Sequence, residues 1–151
     1  MKQVTKEIKK YKLTNEAIEF CGIKLHRIQA LVDFSDVKAG DLGGWVESEN
    51  NLSQVGNAWV YDNAKVLDNA RIFGDAKVTD NAKVYGNAWV LGNAIVFGEA
   101  NIFDNANIFD NAKVYGNAII YRDARVYGKS SIGGKVTVGG NAMVGGKSSI
   151  C

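Results

Sequence analysis

An all-β solenoid is the fold this sequence predicts, and three observations predict it. From Val55 to Ile150 the chain runs as sixteen six-residue units with no insertion or deletion. The sixth position of every unit is Val or Ile, beginning with Val60, Val66 and Ile72. The fourth position is Ala in thirteen units and Ser130, Val136 and Ser148 in the rest. A short unit of this kind cannot bury its apolar face alone, so repetition at a fixed period means stacking.

Composition limits what the stack is expected to do. The chain has 151 residues, 46% hydrophobic and 23% charged, which suits one soluble domain rather than a disordered chain. A formal charge of +2 is too small for a general nucleic-acid binder and has the wrong sign for a nucleic-acid mimic. Two Cys and one His supply neither a disulfide scaffold nor a zinc site, so no metal and no cofactor is expected.

Residues 1–12 read as a charged lead-in, with Lys2, Lys6, Lys9, Lys10 and Lys12 against Glu7. No apolar run follows that resembles a signal core or a membrane span, so the expected location is the cytoplasm, without membrane partners. Free thiols at Cys21 and Cys151 fit a reducing compartment.

Residues 13–54 are expected to form a β-rich cap on the first coil. Within it, EAIEFCGIKLHRIQALVDF (16–34) reads as two strands joined near Cys21-Gly22. The Gly-rich stretch 36–48 leads to Trp45, expected as a lid over the coil, and 49–54 is an imperfect unit.

Residues 55–151 are the repeat. Positions four to six and the next position one make a short strand, whose alternation sends Ala and Val/Ile inward and the intervening residues outward. Positions two and three make the corner. Position three is mostly Asn, which tolerates positive φ, and where it is not Asn or Asp a Gly precedes it.

This pattern resembles the hexapeptide-repeat family. Ile132-Gly133 with Val136 and Val138-Gly139 with Ala142 match its aliphatic-Gly-…-small signature. The resemblance implies a left-handed parallel β-helix with three units to an eighteen-residue triangular coil. Sixteen units then make five and one third coils, about 25 Å tall at ~4.8 Å per rung. The order of a hairpin, KAGDLGGWVE and G-N-A-rich hexads also resembles phage and prophage β-helix proteins, which implies no particular activity.

Many members of the family are acyltransferases that use a His in or beside the coils as base. The repeat here has no His, and His26, in the cap, is the single one. No catalytic residue is therefore assigned, and Cys151 has no neighbouring base. Asp62, Asp68, Asp80, Asp104 and Asp110 read as corner residues rather than an acid/base array.

Residues eighteen apart stack in outward columns. The first face carries Trp59, Lys77, Ile95, Lys113 and Ser131 beside Tyr61, Thr79, Phe97, Tyr115 and Gly133. The second carries Lys65, Lys83, Asn101, Ile119 and Thr137 beside Leu67, Tyr85, Phe103, Tyr121 and Gly139. The third carries Arg71, Trp89, Asn107, Arg125 and Met143 beside Phe73, Leu91, Phe109, Tyr127 and Gly145. Such columns pack as ladders, associate with partners, or stack a ring while a cation meets a phosphate. Lys113, Tyr115, Tyr121, Arg125 and Tyr127 are the candidate ligand- or partner-binding residues. The outward aromatics and an exposed Val138, Val144 and Ile150 core section favour a homo-oligomer, a homodimer through the open ends or the homotrimer that the family resemblance implies.

The expected function is a non-catalytic, oligomeric binding solenoid, phage-encoded by resemblance, that sequesters or blocks a host protein or a nucleotide-like ligand. An acyltransferase-like enzyme and a polymer-forming scaffold are the alternatives.

Overall fold

The computed structural model describes residues 8–151, so the first seven residues of the charged lead-in lie outside the described residues. β1 (Tyr11–Phe20) and β2 (Ile23–Ala30) form an antiparallel hairpin. Cys21 and Gly22 turn it at φ 50° and 79°, the positive values that two-residue hairpin loops need. β2 pairs antiparallel with β3 (Leu42–Val46), and Trp45–Val46 of β3 pair in parallel with Lys65–Val66. β3 is thus the step from hairpin to solenoid.

Beyond β3 every strand is a two-residue rung on positions five and six, paired in parallel with the rung eighteen residues on, as Lys65–Val66 pair with Lys83–Val84. The second face holds six such rungs counting Trp45–Val46, and the first also holds six. The third holds five, with Leu52 bridging in parallel to Ile72 ahead of them. The stack therefore has about six coils rather than five and one third. The difference arises because Leu52 stands eight residues before Val60 instead of six, so the phase is broken just where the first rungs lie. Among the described residues no helix is long and apolar enough to cross a membrane.

Val and Ile of the sixth position and Ala of the fourth are fully buried from Ala58 to Val126. Trp45 is not a lid. It occupies an outward position, packs with Leu25 and Leu67, and takes the Arg27 guanidinium over its ring at 4.4 Å. The end of the core is covered instead by Tyr11, Ile28 and Trp59, with Phe34 edge-on to Trp59 at 5.2 Å. Trp59, expected on an outward column, is 1% exposed because the cap closes over it.

The corner geometry also differs from expectation. Positive φ falls at position two in all sixteen units, at Gly, at five Asp and at Arg122, and not at the Asn of position three. The N–H of position three is engaged, donating to the position-two carbonyl of the next coil, as Asn63 does to Asp80 at 3.0 Å. Asp suits position two for a further reason. Its carboxylate accepts the N–H of the residue eighteen on, which has no carbonyl partner: Asp68 from Gly86 at 3.0 Å, Asp80 from Gly98 at 2.9 Å and Asp104 from Arg122 at 3.0 Å. These carboxylates are therefore structural, each holding one coil to the next.

Arg122 is the single corner of this set that is neither Gly nor Asp, and it sits at φ 53°. Arg122→Gly is expected to stabilise the fold by roughly 1 kcal/mol, because the left-handed conformation costs a residue with a Cβ about that much. Denaturant unfolding of the two chains checks it.

The first coil lacks a preceding coil to donate to its carbonyls, and side chains replace it. Asn51 Nδ2 donates to the Asp68 and Ala70 carbonyls at 3.2 and 2.9 Å. Lys10 Nζ donates to the equivalent pair on the first face, Gly56 at 3.3 Å and Ala58 at 2.7 Å. Burial lowers the Lys10 pKa to about 8, against a smaller upward pull from Asp75.

In the unfolded chain Lys10 holds its proton to higher pH, so above pH 8 the unfolded state binds more protons and stability rises with pH. Melting temperature is expected to climb between about pH 8 and 9.5, and Lys10→Met should remove that climb. Above ~pH 10 the hydroxyls of Tyr11 and Tyr61, whose pKa values are raised chiefly by burial, act in the opposite direction.

Candidate binding face

The candidate residues lie within one turn of the prism but on three different faces. Lys113 is exposed on the first face, next to Tyr115. The Tyr115 ring stacks on Phe97 at 5.1 Å and 11°, and its hydroxyl lies 3.7 Å from Cys151 Sγ, a hydrogen bond that raises the phenol pKa. Tyr121 ends the second-face ladder, 5.6 Å from Phe103, with the Arg122 guanidinium 5.6 Å from its ring. Tyr127 ends the third, 5.3 Å from Phe109. Of the five, Lys113 and Tyr115 share one face, and Arg125 and Tyr127 share another.

Each of these tyrosines is half-buried between an aromatic ring of the preceding coil and a glycine of the next. A methyl group built on Gly133, Gly139 or Gly145 would overlap the ring of Tyr115, Tyr121 or Tyr127. The loss of aromatics in the last coil is therefore a packing device: three glycines make room for three rings. Ring-on-ring stacking of this kind adds about 0.5–1.5 kcal/mol per pair beyond area burial.

The most accessible aromatic surface lies elsewhere. The cap drapes over the first face through Phe34 and Tyr11, and Tyr61 of that face donates to Asp36 Oδ1 at 2.8 Å. The hairpin tip drapes over the second face, where Phe20 and Ile23 pack with Leu67 and Tyr85. On the third face Trp89 remains 44% exposed, whereas Trp45 and Trp59 are 6% and 1% exposed.

Three adjoining concavities of about 460, 520 and 250 Å³ meet at Trp89. Arg71 and Phe73 line one end, Asn87 and Asn105 one flank, and Arg125 and Phe109 the other end. Phe73 meets Trp89 edge-on at 5.6 Å and fixes its ring. Asn87 donates to Asn105 at 3.4 Å, and Asn105 to Asp123 at 3.3 Å, so the polar flank is itself a ladder. Arg71 and Arg125 stand three rungs apart, roughly 14 Å, with the indole between them.

Sequence reasoning singled out Arg125 and Tyr127 of this face and missed Arg71, Phe73 and Trp89. The signal was a Trp in a column otherwise occupied by Arg, Asn and one Met. His26 sits in β2 of the cap, half-buried, with Nδ1 3.2 Å from the Thr14 carbonyl, a position that serves the hairpin.

Comparison with known proteins agrees with this architecture. The profile of the YdcK β-solenoid repeat matches residues 112–128. A 63-residue stretch is 40% identical to the uncharacterized acetyltransferase YdcK of Escherichia coli (strain K12), covering 36% of this chain and 19% of that protein. The chain thus spans about a fifth of the length of the relative it matches. Sixteen hexads in unbroken phase, three parallel rungs to a coil and these two matches support a hexapeptide-repeat β-helix family for the chain.

Proposed function

We propose that the protein is a non-catalytic binding solenoid whose third face holds a ligand combining a planar ring with an anionic group, a nucleotide-like molecule or the equivalent side chains of a host protein. In this reading it works as an oligomer and acts by sequestering or blocking what it binds, as a phage-encoded protein would. The observation that supports it is Trp89, left open between Arg71 and Arg125 in a continuous groove. An indole stacks on a ring, and a guanidinium on either side meets phosphate or carboxylate in its forked geometry.

A second reading is acetyl transfer, favoured by the name of the YdcK relative. The same groove would then hold the nucleotide part of an acyl donor. That reaction needs a base beside the acceptor, and the repeat supplies no His.

Trp89 emission tests the proposal, because the other two Trp are buried. Titration with ADP, and separately with host-cell extract, is expected to shift it. Trp89→Ala and Arg125→Ala, read by calorimetry because the first removes the emitting ring, should each weaken ADP binding about ten- to a hundredfold, the effect of losing one stacking or charged contact, with the chain still folded by cooperative melting. Emission unmoved by both additions overturns the reading. Release of free coenzyme A from acetyl-coenzyme A in the presence of an acceptor overturns its non-catalytic part. Sedimentation as a 16 kDa monomer at micromolar concentration overturns its oligomeric part.

A further inference from the structure

A second, smaller concavity lies where the hairpin tip crosses the second face. It measures about 230 Å³ and is more enclosed than the groove at Trp89. Phe20 and Ile23 from the hairpin and Leu67 and Tyr85 from the coils form its apolar walls. Cys21 stands at the tip, and Lys83 and Asp68 at the rim.

The charges around it are not balanced. Lys65 and Lys83 occupy neighbouring rungs in register, and both ammonium groups lie over the single ring of Phe20, at 5.5 and 5.9 Å. Among the described residues the ion pairs are Lys9 with Glu49 and Arg27 with Glu16, and neither lysine joins one. Asp68, also on the rim, accepts the Gly86 N–H through Oδ2 at 3.0 Å and forms no ion pair with either lysine. Glu47 likewise accepts the Asp68 N–H at 2.7 Å. Of the hairpin charges, Glu19 and Lys24 are exposed and oppose one another in the β1–β2 register. Burial, and secondarily Lys83, lower the pKa of Lys65, as expected for a cation without an anionic partner.

Lys83 at the rim of this apolar pocket and Lys65 on the neighbouring rung, whose Nζ also donates to the Asn63 carbonyl at 3.3 Å, are like charges beside one ring, and an anion between them offsets their repulsion. We propose that this pocket is a binding site for a small anion carried on a flat apolar group, such as an aromatic carboxylate: the ring enters between Phe20, Leu67 and Tyr85 while the carboxylate bridges Lys65 and Lys83. The site is separate from the groove at Trp89 and stands or falls independently of it.

The probe is 2-naphthoate, with neutral 2-naphthalenemethanol as its control, in a Cys151→Ser chain that leaves Cys21 as the one thiol. Calorimetry of the Trp89→Ala form of that chain, in which the third-face groove has lost its stacking ring, is expected to show one naphthoate per chain, with the alcohol at least tenfold weaker. Bound naphthoate should slow modification of Cys21 by the uncharged reagent 4,4′-dithiodipyridine. Lys83→Met and Lys65→Met keep the apolar stems against Phe20 and should each raise about tenfold the naphthoate concentration needed to protect Cys21, while Trp89→Ala should leave that concentration unchanged. Naphthoate binding that fails to protect Cys21 in the Cys151→Ser chain overturns the assignment, and that arm alters no residue of the pocket. So does equal affinity for acid and alcohol, affinity unaltered in both lysine variants, or binding lost in Trp89→Ala.

Discussion

Replacing Ala94 by Leu is expected to destabilise the protein by about 3 kcal/mol, read as a lowered denaturant midpoint at unchanged slope. Ala94 is fully buried on the inner side of a rung, and its carbonyl accepts the N–H of Lys77 at 3.0 Å from the coil before. Rungs stack at roughly 4.8 Å, so three extra carbons have no space to enter without parting two coils. Parting them breaks main-chain hydrogen bonds on either side, which is why the cost belongs at the upper end of overpacking effects. Glu99→Gln at an exposed corner is the control, and should stay within ~0.5 kcal/mol of the parent.

Asn51→Ala is expected to destabilise by a similar amount, on the order of 3 kcal/mol, although it removes only a small side chain. Asn51 is fully buried, and its amide makes four hydrogen bonds. Oδ1 accepts from the Glu47 and Ser48 N–H groups at 3.1 and 2.9 Å, and Nδ2 reaches the Asp68 and Ala70 carbonyls. Truncation leaves main-chain groups without partners where water enters poorly, and each such group costs about 1–3 kcal/mol before relaxation. Asn51→Asp separates donation from acceptance: it keeps the acceptor side and should lose the two bonds to the carbonyls. Equal stability of the parent and the Ala chain by thermal melting would mean that Asn51 caps nothing.

The repeat was legible because its core demands are identical in every unit. A six-residue step that sends Val78, Val84 and Val90 inward repeats one backbone form, and the columns follow from the eighteen-residue coil that the family resemblance implies. Trp45–Val46 and Leu52 were not legible as rungs because the two additional residues before Val60 remove the phase that would identify them. The corner assignment went astray on Asn. Its tolerance of positive φ is real, but the conformation is required one residue earlier, where Asp both adopts it and receives an N–H from the next coil.

At the candidate site the columns were readable and their accessibility was not. Trp59 and Trp89 hold the same position in their units, yet one is 1% exposed and the other 44%. The difference is set by where Phe34 and Tyr11 of the cap fall, and no local pattern announces that. Tyr115, Tyr121 and Tyr127 drew notice as outward aromatics, but nothing in their own hexads shows that glycines eighteen residues later are shaped to receive them.

The three-rung coil sets a rule for how such a chain changes length. Loss of a single hexad would leave every Val and Ile pointing inward, since the interior does not register which side of the prism a rung occupies. Every column downstream of the cut would nevertheless turn by one side. With the cut between Phe109 and Arg125, Arg125 would leave the company of Trp89, and Tyr127 would no longer continue the line of Phe109. Loss of eighteen residues would preserve both. The interior thus counts in sixes and the exterior in eighteens, and a lineage keeping a working outer surface can lengthen or shorten its repeat only by whole coils, while the surviving cap fixes which side of the prism stays uncovered.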